Sequence, residues 1–239
     1  MPRSTPRTAL TALLVAAAVV LPAAPAAAAP ETISPGPAIE ALSPYQGQTV
    51  CEPVARPGVE RFRDLVLAAY PGTGDSGIVR ACTVGGTSEH KEGRAWDWRV
   101  NTKNPEDVLR VDDLMTWLLA PDEHGNVAAM ARRLGVMYVI WDSKVWKSYQ
   151  AAKGWQPYSG ASPHTDHVHV SFSWAGALGA TSYWTGTVAP VMTRPLPPPV
   201  EPVPDTATVT IDPPVMDSRA LLERRRDAKK SLPGPWRRH

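Results

Sequence analysis

Residues 88–97 read Ser-Glu-His-Lys-Glu-Gly-Arg-Ala-Trp-Asp, and the rest of the chain can be interpreted around this stretch. It places a histidine, His90, seven residues before a carboxylate, Asp97, with Gly93 between them as a turn. Farther along the chain, residues 164–169 read His-Thr-Asp-His-Val-His. Histidine and carboxylate side chains brought together from separate elements are common ligands of zinc. The sequence therefore predicts a metal site built from both clusters.

The spacing of these residues suits a hydrolytic zinc site, which needs three protein ligands and one open position for water. His90 and Asp97 can converge on one ion if they lie on adjacent antiparallel segments. His169, on a later strand, can supply the third ligand. Alternate residues of a strand share a face, so His167 lies on the same side as His169 and the neighbouring valines face the core. The predicted cofactor is one Zn²⁺ per chain.

A zinc-bound water also needs a base. Zinc lowers the pKa of a bound water to about 7 and polarises a carbonyl group. A side chain within hydrogen-bond reach must still accept the proton. Asp166 and His167 are both candidates, and the residues by themselves leave the two alternatives open.

Hydrophobic periodicity predicts an α+β fold in which a small, mainly antiparallel sheet carries helices on one side and the metal site on its open face. The predicted helices cover 58–70, 105–119 and 126–134, with a further short helix within 174–186. The predicted strands cover 78–83, 95–100, 136–141 and 168–173. Residues 142–162 are predicted to form an aromatic loop, in which Trp155 either packs on the sheet edge or lines a substrate groove.

The ends of the chain differ in composition from its middle. Residues 1–29 combine a positively charged start, a short apolar run and an alanine-rich end, which predicts a cleaved signal peptide and a secreted or wall-associated protein. The Pro-rich residues 30–48 are predicted to be a linker, and 49–188 the folded domain. Residues 189–239 are predicted to be a Pro-rich linker and a basic, disordered tail.

Export also decides how the two cysteines are interpreted. In an oxidising compartment Cys51 and Cys82 are expected to form a disulfide, the alternative being two buried free thiols.

The formal net charge of +2 is too small to indicate a nucleic-acid partner. The basic tail could instead contact anionic wall polymers or a membrane surface, and we expect the protein to be a monomer.

Residues 88–97 fit, position for position, the Ser-x-His-x-x-Gly-x-Ala-x-Asp signature of the D-Ala-D-Ala metallopeptidases, so the chain resembles that family. The family shares its fold with the murein endopeptidases, the lysostaphin type and the hedgehog domain. The resemblance covers roughly residues 51–184, and it implies that His90, Asp97 and His169 bind zinc. It also implies peptidase action on peptidoglycan peptides.

The resemblance extends to the second cluster in two ways. In the carboxypeptidases and L-alanyl-D-glutamate peptidases an acidic residue three positions before the last histidine is the base, and Asp166 fits. In the penicillin-insensitive murein endopeptidases the motif is His-x-x-His-x-His with a catalytic middle histidine, and His164, His167 and His169 fit. Residues 138–141 and 166–171 are also similar to a group of exported actinobacterial domains.

The sequence departs from the carboxypeptidases at their upstream arginine, which acts on substrate and transition state. Arg80 is the nearest candidate, at a different spacing, so the resemblance favours an endopeptidase over a carboxypeptidase. Ser88, His164 and Trp155 are further candidates, either for contacts with the substrate or for contacts that support the metal ligands. Two other functions stay open: a non-catalytic wall- or protein-binding module with a structural metal, and a wall anchor acting through its basic tail.

Overall fold

The computed structural model describes residues 28–194. Five helices lie in this range, together with short 3₁₀ helices at Glu89–Glu92 and Ser148–Lys153. The helices are α1 (Pro57–Ala69), α2 (Pro105–Leu119), α3 (Ala129–Arg133), α4 (Trp174–Ala177) and α5 (Ser182–Thr185). The strands are β1 (Gly74–Asp75), β2 (Ala95–Arg99), β3 (Val136–Trp141), β4 (Lys144–Lys147), β5 (Gln156–Pro157) and β6 (Val168–Phe172).

The six strands form one antiparallel sheet in the order β1-β2-β6-β3-β4-β5. Strands that are distant in sequence, β2 and β6, are therefore neighbours at its centre. The sheet and the helices together confirm the predicted α+β class with an antiparallel sheet.

The two long helices follow directly from local sequence signals. Both begin with a proline, whose fixed φ suits the first helical turn and whose missing N–H would be unpaired there anyway. The side chain of Asn104 accepts a hydrogen bond from the Glu106 N–H and so caps α2. On α1 the buried residues Val59, Phe62 and Val66 recur at helical spacing. One face of each helix is therefore apolar and packs on the core.

Strand alternation gives the sheet one core face and one site face. Trp96 and Trp98 of β2 are fully buried, and Phe62 of α1 packs edge-on against Trp96 with ring centroids 6.0 Å apart. Asp97 lies between the two tryptophans, so its side chain points to the opposite face. Its cross-strand partner on β6 is His169. The strand pairing thus brings the two sequence clusters to the same place.

Several predicted elements are confirmed and others are corrected. The helix at 105–119 and the strands at 95–100, 136–141 and 168–173 are present with ends that agree within one residue. The predicted strand at 78–83 is wrong. This segment is a loop that lies along the first 3₁₀ helix, where the Arg80 N–H donates to the His90 carbonyl at 3.2 Å.

The regions at 126–134 and 142–162 also differ from the prediction. The helix begins only at Ala129, because Ala128 has a left-handed backbone with φ of 50°. Residues 142–162 are not only loop, since they contain β4 and β5. Asp142 and Ser143 adopt positive φ values of 47° and 60° and turn β3 into β4 as a two-residue hairpin. That turn lacks the glycine that usually announces it.

Residues 30–48 have neither helix nor strand, but they are held firmly on the domain. The buried guanidinium of Arg133 donates to the carbonyls of Gly36 and Ala38, at 2.9 and 3.1 Å. The Glu40 carboxylate accepts hydrogen bonds from the backbone N–H and the hydroxyl of Ser182, at 2.6 and 2.7 Å. The segment is thus an anchored part of the structure, where the sequence predicted only a linker.

The predicted disulfide between Cys51 and Cys82 is present. It ties Cys51, where the resemblance to the metallopeptidases begins, to the loop that leads toward His90. The predicted signal peptide and basic tail lie outside the described residues, apart from 28–29 and 189–194. Within residues 28–194, no helix combines the length and apolar character that crossing a bilayer requires.

Candidate metal centre

His90 is positioned by the short 3₁₀ helix that precedes β2. That helix ends at Gly93, which has a left-handed backbone with φ of 66°. A β-carbon at Gly93 would lie 1.8 Å from the carbonyl oxygen of Val54, so no other residue fits there. The tight turn lets the chain reverse directly into β2 and brings Asp97 back beside His90. This explains the physical need for glycine in the quoted stretch.

The structure brings the three predicted ligands together. Asp97 Oδ1 lies 3.1 Å from His90 Nε2 and 2.9 Å from His169 Nδ1, and the two nitrogens are 3.2 Å apart. In a tetrahedral zinc site with bonds of about 2.0–2.1 Å, neighbouring ligand atoms are about 3.3 Å apart. The separations therefore fit one small ion at the centre, and the three residues form a buried group able to hold a metal.

The outer nitrogens of both rings have fixed partners. His90 Nδ1 lies 2.8 Å from the Ile78 carbonyl oxygen, which can only accept, so this nitrogen carries the hydrogen. His169 Nε2 lies 2.9 Å from the Ser171 hydroxyl, which can accept in the same way. In the neutral rings the inner nitrogens then present lone pairs to the Asp97 carboxylate. A cation bound between these three acceptor atoms would satisfy all of them. Hydrogen-bond partners on the outer ring nitrogens, as found here, are typical of metal-binding histidines.

The electrostatics of the group favour the protonation states that bind metal. Burial raises the pKa of Asp97, but the neighbouring rings of His169 and His90 outweigh this effect and hold the pKa well below its usual range. Burial lowers the pKa of His169, although Asp97 opposes this effect. Ionised aspartate and neutral imidazole are the forms that coordinate a metal.

Tyr138, on β3, fixes His169 from the side opposite to Asp97. The rings of Tyr138 and His169 are stacked, with centroids 5.5 Å apart and planes 22° from parallel. The Tyr138 hydroxyl donates to the buried carboxylate of Glu89 at 2.6 Å. Burial, followed by the charge of Glu89, raises the pKa of Tyr138 above its ordinary value, so it stays protonated. The imidazole is thus clamped between a packed ring and its hydrogen-bond partners.

His167 faces the ligand group, and Asp166 lies behind it. His167 Nε2 is 3.8 Å from Asp97 Oδ1, while His167 Nδ1 is 2.8 Å from Asp166 Oδ1. The hydrogen bond with His167 lowers the pKa of Asp166. The Asp166 side chain is 73% exposed, whereas that of His167 is 19% exposed. Of the two predicted bases, His167 is therefore the one placed next to the ligands.

His164 packs behind His167, with ring centroids 4.7 Å apart, and its Nδ1 lies 2.7 Å from the Ser162 carbonyl oxygen. Its backbone is left-handed, with φ of 53°. Burial, with the neighbouring His169, lowers the pKa of His164 to about 4. His164 is therefore neutral at physiological pH and supports the site through packing.

Arg80 and Ser88 also reach the site, although Arg80 lies on a loop and not on the predicted strand. Arg80 Nη2 is 3.9 Å from Asp97 Oδ2, and Nη1 is 3.5 Å from the Ser88 hydroxyl. The Arg80 side chain is 38% exposed, so its guanidinium is accessible from solvent beside the ligand group. Trp155 is separate from these residues. It lines a cleft of about 530 Å³ with Trp141 and residues of α2.

Sequence reasoning missed two partners of the ligands, Ser171 and Tyr138. Ser171 lies two residues after His169 on the same face of β6, so strand alternation contained a usable signal. Tyr138 is the cross-strand partner of Ser171. Its role depends on the β3–β6 register, which the sequence pattern of β3 does not reveal.

Residues 51–169 match the family model described as "VldE, C-terminal domain". The matched range begins at Cys51 of the disulfide and ends at His169, so it includes all three candidate ligands. Its description differs from the metallopeptidase family that residues 88–97 resemble. No curated protein and no solved structure shows significant similarity to the chain.

The Ser171 contact leads to a prediction about metal affinity. Ser171→Ala removes the acceptor for His169 Nε2 and frees the ring to change its orientation, so zinc affinity should fall by about 10–100-fold. A titration against a competing chelator measures the effect. Ser148→Ala is the matched control, because Ser148 is also buried and bonded, to the Ser43 N–H, but lies outside the site. Equal affinities for the Ser171→Ala and wild-type proteins would contradict this role.

Proposed function

We propose that the protein is a secreted zinc-dependent peptidase that hydrolyses peptide bonds of peptidoglycan. The observation that supports this most strongly is the arrangement of His90 Nε2, Asp97 Oδ1 and His169 Nδ1 within 3.2 Å of one another. Three ligands leave one position of a tetrahedral zinc ion open, as in hydrolytic sites, whereas structural zinc sites are closed by four protein ligands. The resemblance of residues 88–97 supplies the substrate class.

Bound zinc would polarise the scissile carbonyl and lower the pKa of a coordinated water. The proton of that water needs an acceptor, and His167 Nε2 faces the ligand group. The Asp166 carboxylate accepts from His167 Nδ1–H and so leaves a lone pair on Nε2, which can take the proton. We therefore assign His167 as the general base and Asp166 as the residue that orients it.

Arg80 is proposed to stabilise negative charge on the substrate. Its guanidinium lies beside Asp97, its side chain is 38% exposed, and it projects from a loop that the Cys51–Cys82 disulfide anchors. A cation placed where an oxyanion develops contributes to catalysis most when water is excluded. The sequence position of Arg80 still differs from that of the carboxypeptidase arginine. We therefore propose cleavage within the peptide rather than removal of a terminal residue.

The test is mass spectrometry of purified peptidoglycan before and after incubation with the zinc-loaded protein. We expect new fragments with newly formed amine and carboxyl ends, and none with an Asp97→Ala variant. If the protein binds zinc but cuts no peptidoglycan, and instead sediments with it, the peptidase proposal fails and the non-catalytic binding module takes its place. Fractionation of the native cells tests the proposed export, which requires the protein outside the cytoplasm.

A further inference from the structure

A second cleft, lined by polar residues, lies beside the candidate base, and no role described so far uses it. Its volume is about 410 Å³, and its wall includes His167, Asp166 and Arg99. Arg99 is exposed and is the last residue of β2. The cleft therefore connects the metal-facing histidine with an accessible cation.

The position of Arg99 follows from that of Asp97. The two residues are two apart on β2, so their side chains share the open face of the sheet, with α-carbons about 6.6–6.8 Å apart. Trp98 between them is buried on the opposite face. A peptide whose scissile carbonyl lies at the Asp97 end would thus place its next one or two residues over Arg99, since an extended chain advances about 3.3–3.6 Å per residue.

Gly74 provides a cradle for the Arg99 guanidinium. Gly74 is the cross-strand partner of Arg99 in the β1–β2 pair. A β-carbon at Gly74 would lie 2.3 Å from Arg99 Nε and 2.5 Å from Nη2, so the guanidinium occupies the space that a side chain would fill. The absence of a side chain at Gly74 is therefore what allows this orientation of Arg99.

The charge of Arg99 is not neutralised by an ion pair with any residue of the described range. Asp107, which also lines the cleft, uses Oδ1 for Arg110 at 2.9 Å and Oδ2 for the Asn101 N–H at 3.0 Å. The other acid of the cleft, Asp166, is bonded to His167. Arg99 thus keeps its hydrogen-bond donors available in a cleft whose carboxylates are already engaged.

We propose that Arg99 binds a carboxylate of the substrate, located one or two residues from the bond that is cut. A guanidinium matches a carboxylate with two parallel hydrogen bonds, which gives both affinity and orientation. The carboxylate can be the free end of the peptide or a side-chain carboxylate within it. This inference rests on the proposed peptidase function, because the cleft is interpreted relative to the metal-facing residues.

The test compares matched peptides on the zinc-loaded full chain. Two share the sequence acetyl-Lys-D-Ala-D-Ala and differ only in a free or amidated end. The other two peptides both have an amidated end and carry either glutamate or glutamine at the position before the last residue. Calorimetry gives the dissociation constants, and mass spectrometry of the same samples records any cleavage. We expect the wild type to bind at least one acid about tenfold or more tightly than its neutral partner. The preferred pair identifies the source of the carboxylate.

Arg99→Gln should abolish this preference, and Gly74→Ala should reduce it by displacing the guanidinium. Arg61→Gln, which removes an exposed arginine of α1 on Trp184, is the matched control and should keep it. Equal binding of acid and neutral peptides by the wild type, or an unchanged preference in Arg99→Gln, would overturn the proposal. An Arg99-dependent preference, together with no cleavage of purified peptidoglycan by the same preparation, would leave the subsite standing and refute only the peptidase function.

Discussion

Replacing Asp97 by alanine is expected to abolish stoichiometric zinc binding and, with it, any hydrolytic activity. Asp97 is the anionic member of the ligand group, and its Oδ1 lies within 3.1 Å of both histidine nitrogens. Without it, two neutral imidazoles remain, and the charge of Arg80 nearby loses its counter-charge and repels a cation. Wild-type protein should retain about one zinc per chain after dialysis, whereas the variant should retain almost none.

The loss should appear without a loss of fold. The backbone of Asp97 keeps its hydrogen bonds with Gly77 and Ser76, and the buried side chains of its neighbours on β2 are unchanged. Elemental analysis gives the zinc content, and thermal unfolding with and without zinc gives an independent measurement. At a free zinc concentration of 100 times the dissociation constant, binding stabilises the wild type by about 2.7 kcal/mol. The variant should show no such gain.

Asp64→Ala is the matched control, because Asp64 is an exposed aspartate of α1 whose partner is Arg63. Its zinc content and its stabilisation by zinc should equal those of the wild type. If Asp97→Ala still bound one zinc per chain with wild-type affinity, the three residues would not be the metal centre. The peptidase proposal would then lose its basis.

The sequence predicted the residues of the candidate site better than it predicted the surrounding loops. The reason is that side-chain direction follows from alternation in a strand, whereas a loop has no such period. His90, Asp97 and His169 lie on or beside elements whose apolar alternation sets which way each side chain points. The open side of β2 and β6 could therefore be inferred from Trp96, Trp98 and the valines of β6. Strand alternation then sufficed to bring Asp97 and His169 to one face.

Features that depend on tertiary contacts could not be predicted in this way. Residues 78–83 have the β-branched character of a strand, yet they pair with a 3₁₀ helix and serve His90 through the Ile78 carbonyl. The anchoring of residues 30–48 depends on the buried side chains of Arg133 and Glu40, which look like surface residues in the sequence. Strand alternation predicted His167 on the side of His169, but His167 and Asp166 both precede β6. The distinction between them as the residue that faces the ligands therefore depends on the turn into β6, which no periodicity defines.

That last distinction has the second largest expected consequence. His167→Ala should lower kcat by about 10²–10⁴-fold, the usual contribution of a general base, while zinc content stays at the wild-type level. The side chain is partly exposed and is not one of the three close ligands, so its removal should leave the metal centre intact. Steady-state cleavage of a defined muropeptide, together with elemental analysis, measures both quantities. His124→Ala removes a histidine in the loop between α2 and α3 and should change neither.

Asp166 should show a smaller effect of a different kind. Asp166→Asn keeps the shape but weakens the charge-assisted hydrogen bond to His167 Nδ1, so kcat should fall by less than in His167→Ala, with little change in KM. Asp166→Glu retains a carboxylate and should recover part of the lost rate, which a purely structural role would not predict. If Asp166→Asn instead lost as much activity as Asp97→Ala while His167→Ala remained active, the roles would be reversed. The exposed carboxylate would then be the base, as in the carboxypeptidases that the second cluster resembles.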